Sequence, residues 1–165
     1  LLNSSGLFNF PEYQFDAVRC GIALHGFANR PEWDKKLKPV AELISSISQI
    51  HIVKKGEYVG YDFGWKVSKE TKIATIPLGH ADGISRRLGN HKGTVSINGK
   101  IAPIVGNICM DMFMVDVTKI SCREGDVVYV FGKENSISDL AQTADTISYE
   151  LLTAIGPRVK RVIYE

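Results

Sequence analysis

The most apolar run in the chain, from Ile104 to Val117, reads Ile-Val-Gly-Asn-Ile-Cys-Met-Asp-Met-Phe-Met-Val-Asp-Val. Strand geometry sorts it into two faces of period two. Ile108, Met110, Met112 and Met114 fall on one face, and Cys109, Asp111, Phe113 and Val115 on the other. Both faces are apolar, so the pattern predicts a single strand covered on both sides. Asp111 in its midst needs an ionic or hydrogen-bonded partner, because an unpaired buried carboxylate is costly.

The same alternation predicts further short strands. Phe15 to Leu24 is mostly apolar and strand-like, with Arg19 embedded in it; an arginine cannot shed its charge and must meet an acceptor there, most simply in a salt bridge at a strand end. Val40–Val53 alternates loosely, Lys54-Lys55-Gly56-Glu57 makes a turn, and Tyr58–Val67 and Lys72–Leu78 follow. Asn98-Gly99 between Thr94–Ile97 and Lys100–Val105 is a two-residue hairpin signal. Asp126–Phe131 is one more strand and Arg158–Tyr164 a closing one. Many short strands with glycine-rich turns predict a mainly β fold, an antiparallel sandwich or barrel.

Helical spacing occurs near 137–155, where Leu140, Ala144, Ile147 and Leu151 recur behind a Ser136/Asp139 capping signal. Asp145-Thr146 restarts the helix as a second short piece, and Gly156-Pro157 stops it. The polar stretch Asn29–Lys38, bracketed by prolines, is the candidate domain boundary.

Composition narrows the function classes. The 165 residues are 44% hydrophobic and 23% charged, enough for one ordinary domain or a domain with a remnant of another. A net charge of +2 gives no electrostatic case for nucleic acid or an anionic membrane. No run approaches the roughly 18 apolar residues of a membrane span. Cys20, Cys109 and Cys122 fit neither a disulfide framework nor a zinc site, so a cytoplasmic setting with no metal is expected. The opening Leu1-Leu2-Asn3-Ser4-Ser5-Gly6, with no initiator methionine, has the look of a cut inside a longer protein.

Few residues suggest chemistry by themselves. Asn3-Ser4-Ser5-Gly6 offers hydroxyls and amides suited to an oxyanion. Tyr61 stands between Gly60 and Gly64, where backbone can approach another surface closely. His80 beside Asp82 is either a turn or a dyad, and Arg86-Arg87 with Asn90-His91-Lys92 forms a small basic patch.

Taken in order, however, these segments carry a specific resemblance. The motifs are Asn3-Ser4, Arg19-Cys20-Gly21-Ile22, Val59-Gly60-Tyr61, Pro77-Leu78-Gly79-His80-Ala81-Asp82-Gly83, Ala102-Pro103-Ile104-Val105-Gly106, Ile108-Cys109-Met110-Asp111 and Ile147-Ser148-Tyr149-Glu150. Across essentially the whole chain the sequence resembles the C-terminal part of bacterial alanine racemases, fold-type III enzymes that use pyridoxal 5'-phosphate. The resemblance implies that residues 1–34 are the end of a cofactor-binding (β/α)8 barrel and that 35–165 are the C-terminal β-domain.

The implied roles follow residue by residue. Ser4 matches the hydroxyl that contacts the cofactor phosphate, helped by the backbone of Gly21 and Ile22 and by the hydroxyl of Tyr149. Arg19 matches the arginine facing the pyridine nitrogen, where a guanidinium leaves that nitrogen unprotonated and limits side reactions. Racemisation of alanine needs two acid/base groups on opposite faces of Cα; Tyr61 matches one, serving the neighbouring subunit of a homodimer, and the other is a lysine. Met110 matches the residue whose backbone amide meets the substrate carboxylate, with Asp111 at the pocket wall. His80, Arg86 and Ile147 match the substrate entryway.

Two departures stand out. The family usually has tyrosine at His80 and often arginine at Asn107; a histidine changes charge near neutral pH, so a pH-sensitive entry step is expected. None of the lysines sits in the family's Schiff-base motif, so the chain alone is expected to be inactive. The competing reading is a non-enzymatic β-barrel interaction or regulatory domain that shares the fold. Retention of Tyr61, Arg19, Tyr149 and Met110-Asp111 together argues against it, since a scaffold needs none of them.

Overall fold

The computed structural model describes residues 1–28 and 30–164. The chain divides into two compact units, Leu1–Glu42 and Leu43–Glu165.

The first unit is built from short helical turns. Helix α1 (Ser4–Asn9) starts at Asn3, whose side chain accepts the Gly6 N–H at 2.9 Å, the capping geometry asparagine favours. A 3-10 turn at Pro11–Tyr13 follows, then a second at Ile22–His25, and helix α2 (Pro31–Asp34). Gly26 ends the second turn at φ 87°; a Cβ there would stand 2.2 Å from the Lys38 carbonyl oxygen, so only glycine fits.

The strand expected at Phe15–Leu24 does not form. Phe15 adopts φ 49°, and the backbone bonds of this stretch to the rest of the unit include Arg19 N–H to the Leu2 carbonyl at 2.7 Å. A strand exists only against a partner strand, and none of the described residues of this unit supplies one. Arg19 is accordingly exposed, outside any strand or ion pair among the described residues.

The second unit is the β structure. Its strands are β1 (Leu43–Ser46), β2 (Gln49–Val53), β3 (Tyr58–Val59), β4 (Trp65–Lys66), β5 (Thr71–Ile76), β6 (Thr94–Ile97), β7 (Lys100–Val105), β8 (Phe113–Asp116) and β9 (Val127–Phe131). Seven of them make one antiparallel sheet in the order β1-β9-β6-β7-β8-β5-β2, with β3-β4 a separate ribbon. The edges β1 and β2 are consecutive in the chain. Between them, Ile47 exchanges bonds with Gly125 and Asp126 beside β9, while the Ser48 N–H bonds the Thr75 carbonyl of β5 at 2.9 Å. The sheet therefore curls until its two edges are joined by a two-residue corner, the barrel-like form expected of the alternation.

The core lies inside the curl. Ile76, Val95, Ile97, Ala102, Ile104, Val105, Phe113, Val115 and Val128 are fully buried. The Asn98-Gly99 turn closes the β6–β7 hairpin with Ile97 paired to Lys100, as expected, and Asn98 takes φ 51°. Helices α3 (Ile137–Thr143) and α4 (Ser148–Ala154) are the two short pieces of the helical region. Ser136 Oγ accepts the Asp139 N–H at 3.3 Å.

Two expectations for this unit are corrected. Ile104–Val117 is not one strand but the end of β7, a loop, and β8. Its two ends pair with each other, Ile104 with Val115 and Val105 with Met114. Gly106 (φ 66°) breaks the run, its α-carbon so close to the Val59 carbonyl that a Cβ would lie 2.6 Å from the oxygen. Period two then fails across the loop, where Ile108 is buried but Met110 is 57% exposed. The closing strand at Arg158–Tyr164 does not form; its backbone pairs with no strand among the described residues. Instead the Arg161 guanidinium donates to the carbonyls of Ile155 (2.8 Å), Gly156 (2.7 Å) and Val159 (3.0 Å), the first two just beyond α4.

Candidate active site

In the first unit, Ser4, Gly21 and Ile22 come together although 17 residues separate the first two. Ser4 is buried at the start of α1, and its Oγ accepts the N–H groups of Gly21 at 3.0 Å and Ala23 at 3.4 Å. The Ile22 N–H between them has no hydrogen-bond partner among the described residues. Gly21 is exposed, and a Cβ built on it meets nothing within 4 Å. A hydroxyl and an unpartnered amide beside an uncrowded glycine suit phosphate oxygens, and the donor set fits the phosphate of pyridoxal phosphate. Arg19, two residues away, has an exposed guanidinium. Tyr149 lies half-buried on α4 in the other unit.

In the β unit, Tyr61 stands on a 3-10 turn (Tyr61–Phe63) between β3 and β4. Gly60 at φ 84° leads into it, and Asp62 and Phe63 both take left-handed angles, φ 56° and 51°. Two consecutive non-glycine residues in that region are strained and must be held from outside. The restraint comes from Asn107. Its Nδ2 donates to the Tyr61 carbonyl at 3.0 Å, and the Gly64 N–H donates to the same oxygen at 3.1 Å. The Tyr61 ring is thereby presented outward, 71% exposed.

Beside it runs the loop of Cys109 to Met112. Tyr61, Gly60, Cys109, Met110, Asp111, Met112 and Met114 line an open cleft of about 370 Å³. The loop closes on itself through Cys109 N–H to the Met112 carbonyl at 2.9 Å. It is clamped to the Gly79–Asp82 turn by His80 N–H to the Cys109 carbonyl and Ala81 N–H to the Met110 carbonyl, both 3.0 Å. The Met110 N–H has no partner among the described residues and is free to donate to a ligand. Burial pushes the Cys109 thiol above its usual pKa, opposed by the Tyr61 backbone and the charge of Arg86, which reaches this cleft electrostatically.

Asp111 has the ionic partner that its place in an apolar run calls for. Arg158 Nη2 donates to its Oδ1 at 2.6 Å, while Arg158 Nε meets Asp82 Oδ1 at 3.2 Å. These two carboxylates push the Arg158 guanidinium pKa up, the Asp111 hydrogen bond most of all. Asp82 is 5% exposed and also accepts the Gly79 N–H at 2.9 Å. His80 therefore forms no dyad with Asp82; the pair is a turn. His80, Arg86 and Ile147 are all exposed, on three different segments of the unit, and no hydrogen bond joins them among the described residues. Sequence reasoning missed Arg158 as a site residue because it read the segment as a strand. Asn107 was singled out there only as a departure at the entryway, and its bond to Tyr61 depends on a 46-residue separation that no local pattern reveals.

Comparison with known proteins first defines the class of domain. Residues 40–163 match the family described as alanine racemase, C-terminal domain. An alanine racemase of Clostridium kluyveri is 40% identical over 168 residues, covering 97% of this chain and 43% of the relative. Among solved structures, the alanine racemase of Streptomyces coelicolor A3(2) superposes with a TM-score of 0.91 at 37% identity, covering 98% of this chain and 44% of that one. The Bartonella henselae alanine racemase, with covalently bound pyridoxal phosphate, gives 0.89 at 36% identity, covering 98% and 45%. The chain belongs to the alanine racemase family. It spans less than half the length of the relatives it matches.

Proposed function

We propose that this chain is the C-terminal part of an alanine racemase, with residues 1–34 the end of the (β/α)8 barrel and 35–165 the β-domain. The intact enzyme interconverts L- and D-alanine in the cytoplasm, supplying D-alanine for peptidoglycan, and works as a homodimer. The observation that carries this reading is the pairing of an outward Tyr61 on a restrained turn with an unpartnered Met110 N–H in the same cleft.

Pyridoxal phosphate, when bound, supplies the electron sink that acidifies the α-proton of alanine. The residues of this chain do the rest of their share around it. Ser4 Oγ–H and the unpartnered Ile22 N–H would hold its phosphate, the Gly21 N–H being engaged in fixing the Ser4 hydroxyl. Arg19, always charged, faces the pyridine nitrogen and keeps a proton off it. The Met110 N–H binds the substrate carboxylate, and Asp111, fixed by Arg158, walls the pocket against longer side chains. Tyr61 Oη carries a proton to or from one face of Cα, in the partner subunit's site. His80, Arg86 and Ile147 line the approach.

The test is Tyr61→Phe in the intact protein. Because the enantiomers are equally stable, kcat/KM falls equally in both directions. The distinguishing readout is solvent deuterium entering Cα, which slows for L-alanine far more than for D-alanine while cofactor absorbance is unchanged. Racemisation at the wild-type rate would overturn Tyr61 as a proton-transfer group.

A further inference from the structure

The left-handed pair Asp62-Phe63 makes the Tyr61 turn a shape that the local sequence does not favour. What holds it is a chain of two side-chain amides. Asn90 Nδ2 donates to Asn107 Oδ1 at 2.9 Å, and Asn107 Nδ2 donates to the Tyr61 carbonyl at 3.0 Å. The backbone beneath is equally close: a Cβ on Gly60 would stand 3.1 Å from the Asn107 nitrogen, and one on Gly64 3.0 Å from it and 3.1 Å from Asn107 Nδ2. Asn90 itself sits at φ 56°, an angle asparagine tolerates better than most residues. The turn that carries Asn90 also meets the residue before Asn107: the Asn90 N–H donates to the Gly106 carbonyl at 2.9 Å, and a Cβ on Gly89 would stand 2.8 Å from that oxygen.

An amide has a donor end and an acceptor end. The Tyr61 carbonyl can only accept, so it takes the Nδ2 end of Asn107, and Asn90 completes the pair by donating to the Oδ1 end. We infer that Asn107 is a positioning residue for Tyr61, and that Asn90 supports it by satisfying the acceptor end of the Asn107 amide. The inference rests on the proposed role of Tyr61. It makes a sharp distinction between two changes at position 90. Asn90→Ala removes one bond but leaves Asn107 free to keep donating to Tyr61. Asn90→Asp presents an acceptor instead, so Asn107 turns its Nδ2 toward position 90 and its oxygen toward the Tyr61 carbonyl, where two acceptors repel.

The experiment uses the intact protein with Asn107→Leu, Asn90→Ala, Asn90→Asp and Tyr61→Phe. Two readouts are taken: solvent deuterium entering Cα of each alanine enantiomer in the holoenzyme, and amide hydrogen exchange of the 58–66 segment in cofactor-free protein. Asn107→Leu and Asn90→Asp are expected to slow exchange from the face served by Tyr61 by about tenfold, since small misplacements of a reacting group are costly, and to leave the other face unchanged. Both speed amide exchange across 58–66. Asn90→Ala does less than Asn90→Asp on both readouts. Equal slowing of both faces, an unchanged 58–66 segment, or Asn90→Ala as damaging as Asn90→Asp overturns the inference. If Tyr61→Phe leaves both faces untouched, the role of Tyr61 fails instead, and amide exchange still reports whether Asn107 holds the turn.

Discussion

Arg158 Nη2 lies 2.6 Å from Asp111 Oδ1, which ties the segment after α4 to the loop that carries Met110. The same guanidinium reaches the buried Asp82, so one residue joins three parts of the chain that are far apart in sequence.

Removing that tie should loosen the loop without unfolding the sheet. Arg158→Gln in the intact protein is expected to raise KM for alanine several-fold with a smaller change in kcat, the signature of lost ground-state binding. A double-mutant cycle with Asp111→Asn should show coupling that shrinks at high salt, because both partners are partly exposed. Additive effects at low salt would rule out the tie.

Gly79 explains why the Gly-His-Ala-Asp-Gly and Ile-Cys-Met-Asp motifs occur together. Its φ of −139° is open to any residue, but a Cβ would sit 2.1 Å from the Met110 carbonyl oxygen. Gly79→Ala therefore forces backbone apart rather than a flexible side chain, at a cost of about 3 kcal/mol. Urea unfolding measures it, and a change below about 1 kcal/mol would contradict the close approach.

Gly21→Ala is the converse case. The added methyl meets nothing within 4 Å, so stability should change by no more than about 1 kcal/mol. The methyl adds bulk beside the amide that bonds Ser4, however, and pyridoxal phosphate affinity of the intact protein should fall at least tenfold, or about 1.4 kcal/mol. Equilibrium titration of the cofactor absorbance checks this.

Cys109 lines the cleft with its thiol pKa raised by burial. It stays protonated at neutral pH, and alkylation by iodoacetamide at pH 7.5 should run slower than for a free thiol of ordinary pKa. The sign of the linkage follows from the direction of the shift. The folded state holds the proton more tightly, so the Cys109 contribution to stability is fully present below the unperturbed value of 9.0 and is lost as pH rises through the folded one. Cys109→Ser should flatten that alkaline fall in a pH series of melting curves.

Much of the β unit was legible because its signals are local. Asn98-Gly99 demanded a tight hairpin, Ser136 capped a helix, and alternating residues in β5 to β9 marked buried faces; each depends on neighbours a few residues away. The motifs that resembled a racemase were legible for the same reason, as short runs with fixed chemistry. The errors came where a pattern depended on partners. Phe15–Leu24 and Arg158–Tyr164 have strand-like composition but pair with no strand among the described residues, and Ile104–Val117 looked continuous because one glycine, Gly106, hid a reversal inside an apolar run.

The sequence by itself determined the family, the mainly β class and the identities of Tyr61, Met110, Asp111, Ser4 and Gly21 as candidates, since these follow from residue type and order. Only the tertiary structure decided that Asn107 restrains Tyr61, that Arg158 pairs Asp111 with Asp82, and that Gly79 seats one motif on another. Those relations join residues 31 to 76 positions apart, and their energies depend on distances that the curl of the sheet sets and the linear order of residues does not.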